Sequence, residues 1–345
     1  MPTLSIILPT YNRLHRLQVV LAALERQTYP HDDFEVLVIS DGSPDGTDDF
    51  LRAYAASGSP LHLTPLFQPN GGVAVARNHG LAKATGDFVV FIDDDVVAAP
   101  ELLSEHVAVH RREGDDVVVL GPLLIPPDFP LSPWTLWEQK MLNKQYADME
   151  AGNWTPTPRQ FYTGNASLHR QRLVDAGGFN AAFRRAEDVE LGYRLADAGM
   201  YFVYAPQARA FHYVERSFRS WLDIPYAYGR NDVIFTRDRG QTWLIPTIMK
   251  EYHERKSSIR ALARACLDHA QLTRLVITLL GKAALAGAAI HQHGIPRAAY
   301  SGIFNLRHYQ GIADELGGRT AFFAEVERAR VTPYVKPDIL KPKPK

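Results

Sequence analysis

Short apolar runs recur along the first hundred positions, each closed by a proline, an aspartate or a glycine. "LSIILP" and "FEVLVISD" have strand length, are rich in Ile and Val, and read as strands buried on both faces. Between them Leu14, Leu17, Val20, Leu21 and Leu24 repeat at a helical period that stops before "TYP". The alternation continues with a helix near 47–56, a strand near 61–67, a helix near 73–84 and a strand at 87–92. Such an order predicts a mostly parallel central sheet, Rossmann-like, with helices on both faces.

Beyond "VVVLGPLL" the pattern changes. Positions 122–158 are rich in Pro and Trp without a sustained period, and read as a long connection or capping segment. A further compact stretch, 161–213, holds a Gly-Gly turn, an acidic pair opening a helix, and a strand ending at His212. From about Arg219 onward the reading is helical, and the closing "KPDILKPKPK" has the composition of a disordered tail.

The 345 residues exceed one ordinary core, which predicts one large domain with an appendage, or two domains. Acidic and basic side chains balance at 38 each, so no overall charge invites nucleic acid. The single cysteine, Cys266, excludes an internal disulfide framework and reads as a small buried hydrophobe. "MPTLSIILPTYNR" lacks the basic and apolar regions of a signal peptide, giving a cytoplasmic expectation. The longest apolar run, 275–290, contains Lys282 and is shorter than the ~20 residues that cross a bilayer, so it reads as a buried or interfacial helix.

In an open parallel sheet, ligands bind beyond the carboxyl ends of the strands, where loops and helix N-termini converge. Three such ends read "LPTYNR", "ISDGSPDGT" and "FIDDDVV". Asp41 and the triplet Asp93, Asp94 and Asp95 are therefore expected on one edge. Three adjacent carboxylates repel unless cations or donors compensate. A divalent cation bound with a diphosphate is one solution, and Mg2+ or Mn2+ suits hard oxygen ligands. A solvated, helix-capping turn is the other.

Four segments in order, "LPTYNR", "VISDGSPDGT", "GVAVARNHGLAKATGDFVVFIDDD" and "GGFNAAFRRAEDVELGYRL", resemble the inverting family 2 glycosyltransferases of GT-A fold. The resemblance covers roughly residues 3–215. It implies a GT-A catalytic domain over 1–218, a helical C-terminal extension over 219–335 and a tail at 336–345. It also implies transfer of a sugar from a UDP, GDP or dTDP donor to an acceptor hydroxyl, with Mg2+ or Mn2+.

By the same resemblance, Pro9, Tyr11 and Arg13 hold the nucleoside, Asp41 meets the base, and Arg77 lies near the base and the triplet. Asp95 is assigned to the metal and Asp93 to ribose or metal, with Asp94 in the same cluster. Asp188 is the general base with Glu187 beside it, and His212 a further metal or diphosphate ligand. Gly164 and Asn165 border the donor sugar and acceptor. Arg216 and Arg219 are near enough in sequence to reach phosphate, although solvated charges read better. For the C-terminal third, acceptor contacts, a homodimer and peripheral membrane attachment all stay open. A nucleotidyltransferase would favour an N-terminal Gly-rich basic loop, which "LPTYNRLHR" is not. A binding protein without turnover is the remaining alternative, against which the retained Asp188 argues.

Overall fold

A computed structural model describes residues 3–331; the proposed tail at 336–345 lies outside the described residues. The chain forms two compact units, residues 3–129 with 143–214, and residues 130–142 with 215–331.

The first unit opens with β1 (Leu4–Thr10), α1 (Leu14–Leu24), β2 (Phe34–Ser40), α2 (Thr47–Ala55), β3 (His62–Phe67), α3 (Val73–Leu81) and β4 (Phe88–Ile92). Then follow β5 (Val96–Ala98), α4 (Leu102–Glu113), β6 (Val117–Leu120), β7 (Leu123–Leu124) and the closing turns of α5 (Pro133–Glu150), whose residues up to 142 belong to the second unit. It closes with β8 (Asn165–His169), α6 (Arg170–Asp175), α7 (Glu187–Asp197), β9 (Tyr201–Tyr204) and β10 (Ala210–His212). Seven strands make the main sheet in the order β3-β2-β1-β4-β8-β6-β9. All neighbours pair in parallel except β8, which runs antiparallel to β4 and β6.

The strands read as apolar runs because both sheet faces are covered. Along β1, Leu4, Ile6 and Leu8 enter one core with Leu17, Val20, Leu21 and Leu24 of α1. Ile7 turns to the other, with Ala74 and Ala76 of α3 and Leu191 and Leu195 of α7. The strand order reverses between β1 and β4, and at such a switch point the flanking loops diverge and leave a crevice. "TYNR" and the aspartate triplet follow directly from these two strands.

The second unit contains α8 (Phe218–Asp238), α9 (Leu244–Glu254), α10 (Ser257–Cys266), α11 (Ala270–Ala289), α12 (Gly294–Leu316) and α13 (Arg319–Val331). Trp221, Tyr300 and Ile303 centre one of its cores; Tyr252, Tyr309 and Phe322 centre the other. Two glycines set the crossing of α8 and α12. A Cβ on Gly229 would stand 2.1 Å from the His308 carbonyl oxygen, and one on Gly311 2.0 Å from that of Tyr226.

Two sequence readings change here. The supposed connection at 122–158 holds α5, an 18-residue helix entered through Pro133. Its period is masked because the helix belongs to two cores in succession: Trp134 and Trp137 join the aromatics of the helical unit, whereas Tyr146 stacks on Tyr204 of the sheet unit. The apolar run near 275–290 belongs to a 20-residue helix, α11, long and apolar enough to cross a membrane by length and composition. Only 22% of its most apolar window is buried, so it is not a core helix. Cys266 is buried and free, as expected.

Candidate active site

The β1 and β4 registers place Thr10 across from the triplet, and the two loops are tied through Asp94. Thr10 Oγ1 donates to Asp94 Oδ2 at 2.8 Å, and Arg13 Nη1 reaches Asp94 Oδ1 at 3.1 Å. Burial pushes the Asp94 carboxyl up to about 6, against the opposing pull of Arg13. Asp94 is thus the brace of the "TYNR" loop.

Its neighbours face different partners. Asp95 receives Arg13 Nη1 on Oδ2 at 2.5 Å, while its Oδ1 lies 3.5 Å from Nε2 of His212 on β10. Burial alone would raise this carboxyl, but His212 and Arg13 together hold it below the usual range. Asp93 instead accepts Arg77 Nη2 at 2.7 Å. A Cβ on Gly164 would come within 3.2 Å of Asp93 Oδ2, so this glycine lets the β8 entrance close onto the triplet.

Arg77 is the hinge of the charge arrangement. Buried in α3, it spends Nη2 on Asp93 and Nη1 on Glu187 Oε1 at 2.8 Å, and its guanidinium lies 5.3 Å from the Phe179 ring centroid. The sequence reading put it near the base and the triplet; the structure pairs it with Asp93 of the triplet and adds Glu187. Burial would lower its pKa, yet Asp93 and Glu187 raise it on balance.

Glu187 and Asp188 open α7. Leu191 and Leu195 bury the inner face of this helix, Arg194 locks back onto Glu190 at 2.7 Å, and Gly199 at φ 88° follows its end. Ala186, just before, holds a left-handed φ of 59°. For a residue with a Cβ that conformation costs about 1–2 kcal/mol, so the packing around it fixes the direction in which the acidic pair leaves the loop. Asn12, in the "TYNR" loop, has φ 54°. The two acids differ sharply in surroundings. Glu187 is paired with Arg77, whereas Asp188 accepts the Val189 amide at 2.8 Å. Desolvation first, then the Glu187 charge, push Asp188 up to about 7, with Arg77 opposing.

Asp41 is buried beyond β2, and its carboxylate gathers the loop after β3. Gln68 Nε2 and Gly71 N donate to Oδ1 at 2.7 and 2.8 Å, and Gly72 N to Oδ2 at 2.9 Å. Its foremost task is therefore to shape that loop. Gln68 was not anticipated, although it stands at the carboxyl end of β3, where the edge rule applied to a third loop would have found it. The ring of Tyr11 is half exposed and open for stacking. Pro9, in contrast, is buried within β1 and offers only backbone.

Asn165 does not line the cleft. It is 1% exposed, its Nδ2 donates to the carbonyls of Pro122 and Ala208, and its Oδ1 lies 2.9 Å from His106 Nε2. It belongs to a buried polar cluster with Ser167, His106 and His110. Arg216 pairs with Glu138 at 2.8 Å within the helical unit, and Arg219 is exposed on α8. Among the described residues no group of three or more His, Cys, Asp or Glu side chains is arranged for a metal. Asp95 and His212 converge as two donors, a set that suits a cation drawing its other ligands from phosphate and water.

The model for "Glycosyl transferase family 2" matches residues 5–189. The chain belongs to this family. Validoxylamine A glucosyltransferase of Streptomyces hygroscopicus subsp. jinggangensis (strain 5008) is 33% identical over 225 residues, covering 58% of this chain and 52% of that one. The uncharacterized glycosyltransferase YfnE of Bacillus subtilis (strain 168) is 31% identical over 245 residues, covering 57% and 61%. The chain thus spans about half to three fifths of the length of these curated relatives. The mannosyltransferase PcManGT from Pyrobaculum calidifontis, solved with GDP-Man and Mn2+, superposes with TM-score 0.61 at 21% identity, over 90% of this chain and 87% of that one. Residues 1–349 of S. aureus TarS, solved with UDP, give 0.54 at 17% identity over 92% of each. These likenesses show the fold, the GT-A architecture of glycosyltransferases.

Proposed function

We propose that this family 2 protein is an inverting glycosyltransferase that moves a sugar from a nucleotide diphosphate donor to an acceptor hydroxyl, with Asp188 as the general base. The observation that carries the reading is the division between the two acids of α7. Arg77 neutralises Glu187, and Asp188 beside it is left desolvated with a raised proton affinity. A base near neutrality combines a usable ionised fraction with a strong pull on the hydroxyl proton.

In this reading the acceptor oxygen attacks the anomeric carbon as its proton passes to Asp188. The bond between that carbon and the diphosphate oxygen breaks on the opposite face, and the electron pair leaves with the diphosphate. Tyr11 offers a stacking face to the nucleoside, and Asp41 holds the 68–72 loop against it. Arg13, half exposed, keeps guanidinium donors for the diphosphate while neutralising Asp94 and Asp95. Asp95 and His212 are the residues that would hold Mg2+ or Mn2+, which when bound offsets the charge of the departing diphosphate. Ligands named for the structural neighbours, GDP-Man with Mn2+ and UDP or UDP-GlcNAc, support this donor class.

Incubation with a panel of UDP, GDP and dTDP sugars, monitored for nucleoside diphosphate release, tests the reading. Release with at least one donor, accelerated by an acceptor hydroxyl and lost on chelation, is expected. Absence of release across the panel with Mg2+ and with Mn2+ would overturn it, and release indifferent to chelation would remove Asp95 and His212 from the metal role.

A further inference from the structure

The twenty residues of α11 present two unlike faces. Thr273, Ile277, Ala284 and Gly287 are buried. A Cβ on Gly287 would meet Ile295 of α12 at 2.7 Å, and Thr273 Oγ1 donates to the Cys266 carbonyl at 2.9 Å. That side is fixed to its own unit. On the other side Leu272, Leu275, Leu279, Ala283, Ala286 and Ile290 recur every three or four residues and are exposed, which makes one continuous apolar stripe. Leu275 and Leu279 are each 55% exposed and Ile290 65%. The stripe continues past the turn to Ile295 on α12, 42% exposed. Exposed apolar side chains in a row cost solubility unless something covers them.

Charge identifies the cover. From position 269 to 313 the chain has no Asp or Glu, while Arg274 and Lys282 flank the stripe and Arg297 follows the turn, all exposed. Asp268, the acid just before, is spent on the Arg319 amide at 2.9 Å. A second copy docked about a two-fold axis would bring these bases against their own counterparts with no acid on the helix to pair them. A surface of anionic lipid headgroups satisfies both features, taking the leucines into the acyl boundary and the bases at the phosphate level.

We propose that the outer face of α11, with the turn into α12, is a docking surface for an anionic lipid bilayer. The helix lies in the interface and does not cross, because Ile277, Ala284 and Gly287 on its other side are packed into its own unit. This goes beyond the transfer chemistry and does not depend on it.

Flotation of the full chain with vesicles of phosphatidylcholine alone, and of equal parts phosphatidylcholine and phosphatidylglycerol, tests the surface. Binding is expected to the anionic vesicles only, and to fall as salt is raised. Lys282→Glu and Arg274→Glu should each weaken it about fivefold or more, and the double variant Leu275→Gln with Leu279→Gln should abolish it. These side chains face solvent, so melting temperature should be unchanged, which separates lost docking from lost folding. Equal binding to both vesicle types, no binding to either, or binding indifferent to the substitutions would overturn the proposal. So would a dimer in sedimentation velocity that the leucine pair dissolves, since the face would then belong to a second copy.

Discussion

Replacing Asp188 by Asn should make the protein more stable as it becomes inactive, and the gain should depend on pH. Burial pushes the wild-type carboxyl up to about 7 in the fold, against an ordinary value of 3.8 when unfolded. Below both values it is neutral in either state and carries no penalty. Between them the unfolded chain releases the proton and the folded chain keeps it, so stability declines as pH rises, and above about 7 the full penalty is present. At 1.36 kcal/mol per unit the ceiling is about 4 kcal/mol; sharing of charge with Glu187 and residual solvent reduce this to about 1–3 kcal/mol. Asn keeps an oxygen for the Val189 amide and removes the charge, so the variant escapes the penalty. Urea unfolding at pH 8 and at pH 4 measures it: the variant's advantage should appear at pH 8 and vanish at pH 4. An equal advantage at both values, or a loss at pH 8, would refute the assignment of a desolvated carboxylate at this position.

Two further outcomes follow from packing elsewhere. His106 and His110 are buried against Ser167 and Asn165, and desolvation lowers them to about 4 and about 3. Unfolded histidines take up protons from about pH 6.5 downward, so these two stabilise the sheet unit above that value and lose the contribution as pH falls toward 4, by roughly 2–3 kcal/mol each at pH 4.5. His110→Phe, which preserves the stacking on Phe88, should flatten part of the acid slope in urea titrations; an unchanged slope would count against buried neutral imidazoles. Gly311→Ala should destabilise the helical unit by about 1–3 kcal/mol or more, because its Cβ would press on the Tyr226 carbonyl where α8 and α12 touch. Hydrogen exchange of α8 and α12 reads this directly, and unaltered protection would contradict so close a crossing.

The parallel core was legible because its strands are buried on both faces and its first helix keeps a clean period from Leu14 to Leu24. The edge rule then put Asp41 and the triplet together from strand ends alone. What stayed hidden was partner choice. Arg77 and Glu187 are 110 positions apart, and no local pattern says that their charges meet, so Arg77 was expected near the base and the triplet but not against Glu187. Asn165 was expected in the cleft from the resemblance alone; the side of the sheet it faces depends on β8 running antiparallel to β4, a pairing that alternation of helices and strands does not reveal. The helix α5 was missed for a related reason: its two halves join different cores, so no single apolar face runs its length. In α11 the run was visible, but whether leucines face a core or solvent is a property of the neighbours.

The central claim is that Asp188 takes the acceptor proton. Acceptor-dependent turnover of Asp188→Asn, measured against the wild type with whichever donor is hydrolysed and across pH 5.5–8.5, tests it most directly. General-base catalysis is worth roughly 10²–10⁴ in rate. The account predicts a loss of that size with donor binding retained, and a wild-type rate that climbs with pH and levels off above about 7. Full turnover in the variant, with the same pH profile, would contradict it.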